Sequence, residues 1–338
     1  MSLKKIHLVQ LNHGRLGRGV AIVEEPSLIL LKGIRSVYEL ALKSIDEGIK
    51  IQSFIQSHLS SETIDYNSVY EGKNEWKLLP SFDHPENPFG CLVSGTGLTH
   101  HNSALNRQMM HQSAGDKPTD SMQMYQWGVE GGFPAKGEIG VQPEWFYKGN
   151  GAVLKAHGQP LEVPPYGNDG GEEPELAGVY IVDRTGRPWR IGLSTGNEFS
   201  DHIMEKKNYL YLAPSKLRDC AIGPEIVIDA GFDEYNGTVS IERNGGLIWS
   251  ADIKTGEKNM SHNLANLEYH HFKYASHRIP LQAHVHFFGA DAFSFGSGVE
   301  LQKNDVMSVE WSGLGRALKN PLHLSGKKEN IVSVSSIL

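Results

Sequence analysis

Apolar positions along this chain change their period part-way through. From Ser36 the run SVYELALKSIDEGIKIQSFIQSHL places apolar residues at helical spacing. It opens with a capping box in which Ser36 can bond a backbone N–H while Glu39 reaches back, which predicts the main helix of an N-terminal unit. From about Asn67 to Asn150 the pattern dissolves into loop-rich text, with PSFDHPENPFG and HQSAGDKPTD as breakers. After that, short runs of β character dominate: GVYIVD, WRIGLST, EIVIDA, TVSIERNGGLIWSADI and VMSVEW. Asn244-Gly245 between alternating runs signals a hairpin. There is no internal repeat or low-complexity segment. The pattern predicts a small α/β N-terminal domain over residues 1–85 and a larger β-rich domain over 86–338.

Composition narrows the classes open to such a chain. Its 338 residues can bury a sizeable core without staples. A net charge of -7 and the lack of any dense Lys/Arg block argue against a nucleic-acid partner. Cys91 and Cys220 are too few for a disulfide framework, and the start MSLKKIHLVQLNHG has no long apolar core of the signal-peptide kind. No window approaches 18 uninterrupted apolar residues. These features together lead to the expectation of a cytoplasmic protein with no membrane partner.

The stretch GGEEPELAGVYIVDRTGRPWRIGLSTGNEFSDH, Gly170 to His202, sets carboxylates on both sides of a β-hairpin. A turn centred between Gly186 and Arg187 puts Glu175 opposite Glu198, and Glu173, two residues before Glu175, projects from the same face. Three partly desolvated carboxylates on one patch push at least one pKa up unless a cation neutralises them. Oxygen-only ligands with no nearby Cys favour Mg²⁺, Mn²⁺ or Ca²⁺ over zinc. The same spacing also suits a solvated acidic loop, and a one-residue register slip breaks the pairing.

The neighbouring text adds a resemblance. EPELA, then GNEFSDH, then APSKLRDCAIGPEIV resembles the ordered signature of the fumarylacetoacetate hydrolase superfamily: Glu-x-Glu-(Leu/Ile)-Ala, Gly-Asn-Asp-x-Ser, and Lys-x-x-Asp ahead of Gly-Pro. Pro143–Pro165 resembles the run into the family's metal strand, and GVELQKNDVMSVEWSGLGRALKNPL its closing strands, so the similarity covers roughly residues 85–325. The resemblance implies an α+β, β-rich fold, a mixed β-roll and sandwich catalytic domain behind a small N-terminal α/β domain. It places Glu173, Glu175 and Glu198 at divalent-metal positions and Lys216 at an active-site lysine, and it implies a homodimer formed through the β-rich domain. Glu198 departs from the family's usual Asp, so its carboxylate reaches about one C–C bond further.

Two further stretches, SGTGLTHHNSALNRQMMH and HVHFFGADAFSFGSG, resemble the branch that breaks down 2-keto-3-deoxy sugar acids of the arabonate and xylonate type. His100 and His101 follow a Gly-rich turn in a predicted loop, where a mobile general base would titrate near neutrality; with 16 histidines in the chain, either could instead be structural. Lys216 would neutralise a substrate carboxylate or a developing oxyanion, or else lie along the surface. His284 and His286 alternate on one strand face and read as a hydrogen-bonded core layer, since the motif offers no third soft ligand. FFGADAFSF suits either a subunit contact or the core. The glycines of GTG at 95–97 lack the context of a dinucleotide loop, so no nicotinamide cofactor is expected.

Three functions stay open at this point. The first is a Mg²⁺-dependent dehydratase or hydratase acting on a small 2-oxo acid, a 2-keto-3-deoxy sugar acid such as 2-keto-3-deoxy-L-arabonate. The second is a C–C hydrolase of acylpyruvates or 2,4-diketo acids. The third is a non-catalytic sugar-acid-binding protein. The two enzymes share a metal-stabilised enolate; the hydrolase needs a water held near a His, the dehydratase an acid near the C4 oxygen.

Overall fold

The computed structural model describes residues 5–111 and 118–337. Most of the HQSAGDKPTD breaker therefore lies outside the described residues. Strands β1 (Ile6–His13), β2 (Gly17–Glu24) and β3 (Ser27–Leu31) form an antiparallel meander. Helices α1 (Val37–Asp46) and α2 (Ile51–Ser57) follow, and β4 (Leu59–Asp65) returns to pair with β3.

The single helix expected from Ser36 is thus two. Ser36 does cap α1, accepting from the Glu39 N–H, but the Glu39 carboxylate accepts from the N–H of Arg35 rather than of Ser36, so the box is half formed. Gly48, at φ +65°, ends α1, where the N–H groups of Gly48 and Ile49 bond back to the carbonyls of Ile45 and Ser44. The apolar period runs across this break because both helices bury residues in one core: Leu40 and Ala41 from α1, Phe54 and Ile55 from α2.

The chain continues through α3 (Tyr66–Tyr70), β5 (Trp76–Leu78) and β6 (Cys91–Gly95). Where loop was expected, two helices then intervene, α4 (His101–His111) and α5 (Asp120–Gly131), the second capped by the Thr119 hydroxyl. Their Gln-, Met- and Asn-rich text has helix propensity but no apolar stripe, so periodicity passes over it. Next come β7 (Phe146–Asn150), β8 (Leu154–Lys155), β9 (Leu161–Val163), β10 (Pro174–Val182) and β11 (Pro188–Asn197). Short helices α6 (His202–Lys207) and α7 (Leu212–Ser215) lead to β12 (Cys220–Ile228).

The hairpin of β13 (Tyr235–Arg243) and β14 (Gly246–Thr255) turns at Asn244-Gly245, both at positive φ, as the dipeptide predicts. The chain closes with α8 (Leu264–Phe272), β15 (Ala283–Phe287), β16 (Val306–Trp311) and β17 (Leu318–Leu324).

These strands make two sheets. The larger has the order β4-β3-β2-β1-β12-β11-β10-β15-β6-β7, with β5 on β1 and β8 on β12; the smaller has the order β14-β13-β16-β17-β9. Because β1 pairs with β12, with Leu8 opposite Ile226, the larger sheet passes from the N-terminal elements into the β-rich part without a break in hydrogen bonding at residue 85. The fold is the expected strand-rich α+β arrangement. Strands β10 and β12 are buried at every position, since one face carries the helices and the other the smaller sheet. Leu193 and Val227 from one sheet meet Val239, Val309 and Trp311 from the other. Cys91 and Cys220 are free, buried thiols. Among the described residues no helix is long and apolar enough to cross a membrane.

Candidate active site

Glu173 and Glu175 flank the start of β10, and Glu198 follows the end of β11. The hairpin turn is centred on Thr185, earlier than the sequence suggests, with Val182 opposite Pro188, and a bulge between Val179 and Tyr180 shifts the register back by one. Glu175 therefore lies opposite Gly196, and the Glu198 N–H bonds to the Glu173 carbonyl at 2.9 Å. The expected pairing of Glu175 with Glu198 is corrected by two residues. Side chains alternate with a period of two, so a slip of two keeps every side chain on its face. The three carboxylates still converge: all are buried, and each offers an oxygen within 4.8 Å of the others. The solvated-loop alternative does not hold for these three. Glu172 accepts from the Ser294 N–H and hydroxyl at 2.6 and 2.9 Å and serves to fix that loop.

Two ammonium groups meet this cluster. Lys216 Nζ lies 2.7 and 2.8 Å from the Glu173 oxygens, 3.0 Å from Glu198 Oε2 and 3.0 Å from the Ser200 hydroxyl. Lys148 Nζ lies 3.0 Å from Glu198 Oε1 and also bonds the Phe199 carbonyl. Gly289 N–H donates to Glu175 Oε2 at 2.6 Å, and His202 Nε2 sits 3.1 Å from Glu173 Oε1. Burial together with the charges of Glu198 and Glu173 drives the Glu175 carboxyl well above its usual range, although Lys216 pulls the other way. Burial raises Glu198 to about 7 against the pull of Lys216 and Lys148. Burial opposes ionisation of Glu173 too, but Lys216 and His202 outweigh it and hold its carboxyl well below the usual range. Lys216 stays charged because Glu173 and Glu198 overcome its desolvation. A buried, oxygen-only set of three carboxylates against two ammonium groups fits a hard divalent cation, and the longer side chain at Glu198 still brings its carboxylate within 4.8 Å of the other two.

Neither histidine expected as a base touches the three carboxylates directly. His100 is buried, with Nδ1 3.0 Å from the Thr99 hydroxyl and Nε2 3.0 Å from the Thr255 hydroxyl, and burial brings its pKa down to about 4. It is a fixed ring between two threonines instead of a mobile loop base. His101 opens α4, is exposed, and lies 5.5 Å from the Tyr125 ring. No contact joins either to the three carboxylates. His284 and His286 form the expected core layer: His286 lies 2.8 Å from both the Ser94 and Thr96 hydroxyls, and His284 Nδ1 lies 3.0 Å from His271 Nε2. In FFGADAFSF, Phe287, Phe288 and Phe293 are buried, so that segment goes to the core.

Sequence reasoning missed several side chains around the carboxylates. Glu144, just ahead of β7, alternates with Phe146 and Lys148 on it in PEWFYKG, and all three are buried, with Lys216 Nζ 4.9 Å from the Phe146 ring centre. That period of two was readable. Arg107 on α4 was not, because its helix had no apolar stripe. Its Nη1 lies 2.8 and 3.0 Å from the Glu144 oxygens and its Nε 2.6 Å from Glu205 Oε1 on α6. Gly97 makes room for Glu144, since a Cβ there would sit 1.8 Å from Glu144 Oε2.

No family model matches the chain. A curated relative, the probable 2-keto-3-deoxyxylonate dehydratase of Haloferax volcanii, is 31% identical over 121 residues, 34% of this chain. The aligned segment spans 40% of that relative's length. Among solved structures, the apo form of 2-keto-3-deoxy-D-arabinonate dehydratase superposes with a TM-score of 0.69 at 19% identity, over 95% of this chain and 100% of that one. The same enzyme complexed with magnesium and 2,5-dioxopentanoate gives 0.68 at 18% identity, over 96% of this chain and 100% of that one. The 2-hydroxyhepta-2,4-diene-1,7-dioate isomerase from Mycobacterium marinum gives 0.58 at 15%, over 95% and 100%. These likenesses show the fold alone: the chain has the fold of the arabinonate dehydratase and of the isomerase, the fumarylacetoacetate hydrolase-type fold that its motifs led one to expect.

Proposed function

We propose that the chain is a divalent-metal-dependent lyase that dehydrates a 2-keto-3-deoxy sugar acid. The observation that carries this reading is the convergence of Glu173, Glu175 and Glu198 to within 4.8 Å in a buried site. These three would hold the cation, magnesium in the first instance, with manganese or calcium as alternatives. When bound, it would supply Lewis-acid stabilisation of the negative charge that develops on the 2-oxo oxygen.

The chain's own groups handle the protons. Lys216 and Lys148 pair with the carboxylates in the metal-free site, His100 has both nitrogens on Thr99 and Thr255, and His202 meets Glu173 through Nε2 while its Nδ1 has no partner and packs against Gly171. Next to the cluster, Glu144 and Glu205 are buried acceptors, both oriented by Arg107. We assign removal of the C3 proton to Glu144, whose carboxylate packs against Gly97, and protonation of the departing C4 hydroxyl to Lys216, an ammonium donor with no lone pair. Water leaves, and the unsaturated 2-oxo acid tautomerises to a semialdehyde. With a five-carbon substrate the product is 2,5-dioxopentanoate. Cleavage of a diketo acid would need a water held by a His beside the carboxylates; His100 has both nitrogens engaged, and His202 turns Nε2 to Glu173 and its free Nδ1 to the Gly171 backbone.

The same reading has the enzyme in a reducing cytoplasm, where Cys91 and Cys220 remain thiols, as a homodimer built on its β-rich part. Product analysis with Mg²⁺ and with EDTA tests the chemistry. A semialdehyde formed from 2-keto-3-deoxyarabonate or 2-keto-3-deoxyxylonate, and lost with EDTA, bears it out. Pyruvate and a second acid from an acylpyruvate, with no turnover of the sugar acids, overturns it.

A further inference from the structure

Beside Glu173 lies a cavity lined by Ser103, Arg107, Glu173, His202, Glu205 and Phe293, with free space of about 10 Å³. That is roughly the room of one water, so a substrate reaching past the carboxylates must take the place of contacts made there. The contact that spans the cavity wall is the Arg107–Glu205 ion pair at 2.6 Å, and Arg107 is already shared with Glu144. One guanidinium thus faces two carboxylates, and all three side chains are buried. Phe293, stacked 4.8 Å from the His202 ring, provides an apolar wall.

Resting on the dehydratase reading above, we infer that Arg107 and Glu205 select a substrate whose far end is hydroxylated and uncharged, and reject 2-oxo acids that end in a second carboxylate. A hydroxyl both donates and accepts, so it can insert between these two side chains, accepting from Arg107 and donating to Glu205, and leave both satisfied. A carboxylate only accepts. It can replace Glu205 on the guanidinium, but Glu205 is then buried without a donor and next to a like charge. Sites built around hydrogen bonds to a hydroxyl discriminate far more strongly than apolar pockets do. The Ser103 hydroxyl offers a second partner to the same tail.

The test is calorimetric binding to the full chain with Mg²⁺, using three ligands that share one 2-oxo acid head and lack the C4 leaving group. These are pyruvate, 5-hydroxy-2-oxopentanoate and 2-oxopentanedioate. The hydroxylated ligand should bind about 100-fold more tightly than the dicarboxylate of equal length, and any ratio above tenfold bears the inference out. Glu205→Gln should bring that ratio below tenfold by improving the dicarboxylate, a change that loss of packing alone would not produce. If pyruvate binds while the wild-type ratio is below tenfold, the selection is overturned and the metal-site reading stands; an unchanged ratio in Glu205→Gln removes Glu205 from the role. If pyruvate itself fails to bind, the metal-site reading falls and this inference with it.

Discussion

Replacing Glu175 by Gln should stabilise the metal-free protein and remove its response to divalent ions. The three carboxylates approach to within 4.8 Å, and at an effective dielectric of about 20 each like-charged pair at that range costs about 3–4 kcal/mol. Ionised, Glu175 takes part in two such pairs; its raised pKa lets it take up a proton instead, so the sum that follows is the most the repulsion can contribute. Set against this, attraction to Lys216 offsets about one pair, and the charge-assisted bond from Gly289, 2.6 Å long, loses about 2 kcal/mol when its acceptor becomes neutral. The net gain on substitution is at most about 1–2 kcal/mol, which for a domain of this size raises the melting temperature by up to about 2–4 °C. Wild-type protein should gain about 2.7 kcal/mol from a divalent ion at a hundred times its dissociation constant, and the variant should gain almost none. Melting curves of both proteins, in EDTA and in millimolar Mg²⁺ or Mn²⁺, read all four states. A variant that melts below wild type in EDTA and keeps the full metal-induced shift would refute the reasoning.

Other expectations follow from the same geometry. Gly97→Ala would drive a Cβ against Glu144 Oε2, so the variant should fold, with a circular-dichroism melt close to wild type, and lose about 100-fold in kcat through a misplaced carboxylate; wild-type turnover would argue against Glu144. Burial keeps His284 and His286 neutral, with pKa values pushed down to about 3 in each case, and His271 is held well below its usual range by burial and by His286 and His284. Their folded pKa values lie below the unfolded one, so the stability they allow is full above about pH 6.5 and is lost as pH falls from there toward 3. His284→Leu, which removes a ring whose Nε2 has no partner, should flatten that acid limb in denaturant titrations, and an unchanged limb would count against the cluster. Gly48→Ala forces a left-handed residue between α1 and α2 and should cost about 1–2 kcal/mol in urea unfolding with activity unchanged; a neutral result would contradict the capping role. His101→Ala should leave kcat/KM at the wild-type value, and a tenfold loss would return a catalytic role to that exposed ring.

How much of this was legible in the sequence depends on whether the signal was local. Short runs rich in β-branched residues revealed the strands around Val179, Val227 and Val309, and Asn244-Gly245 marked its turn, because strand propensity and turn conformation are set by neighbours in the chain. The carboxylate site was legible as residue identities, and the mistaken register did no harm because the slip was an even number. The two helices between β6 and β7 were not legible, since helix formation in Gln- and Met-rich text leaves no apolar stripe. With α4 went Arg107, whose partners Glu144 and Glu205 are 37 and 98 residues away. The setting of His100 was illegible for a related reason: it is made by Thr255, a residue on β14 that no local pattern connects to it. Glu39 shows the limit of a motif even when it is local, because its carboxylate chose the N–H of Arg35 over that of Ser36.

The most direct measurement is a crystal soaked in Mn²⁺ and examined at the manganese edge. An anomalous peak bonded to one carboxylate oxygen each from Glu173, Glu175 and Glu198, at distances near 2.2 Å, is the expected result. No peak between these side chains at saturating Mn²⁺, with the Lys216 ammonium still bridging Glu173 and Glu198, would contradict the account.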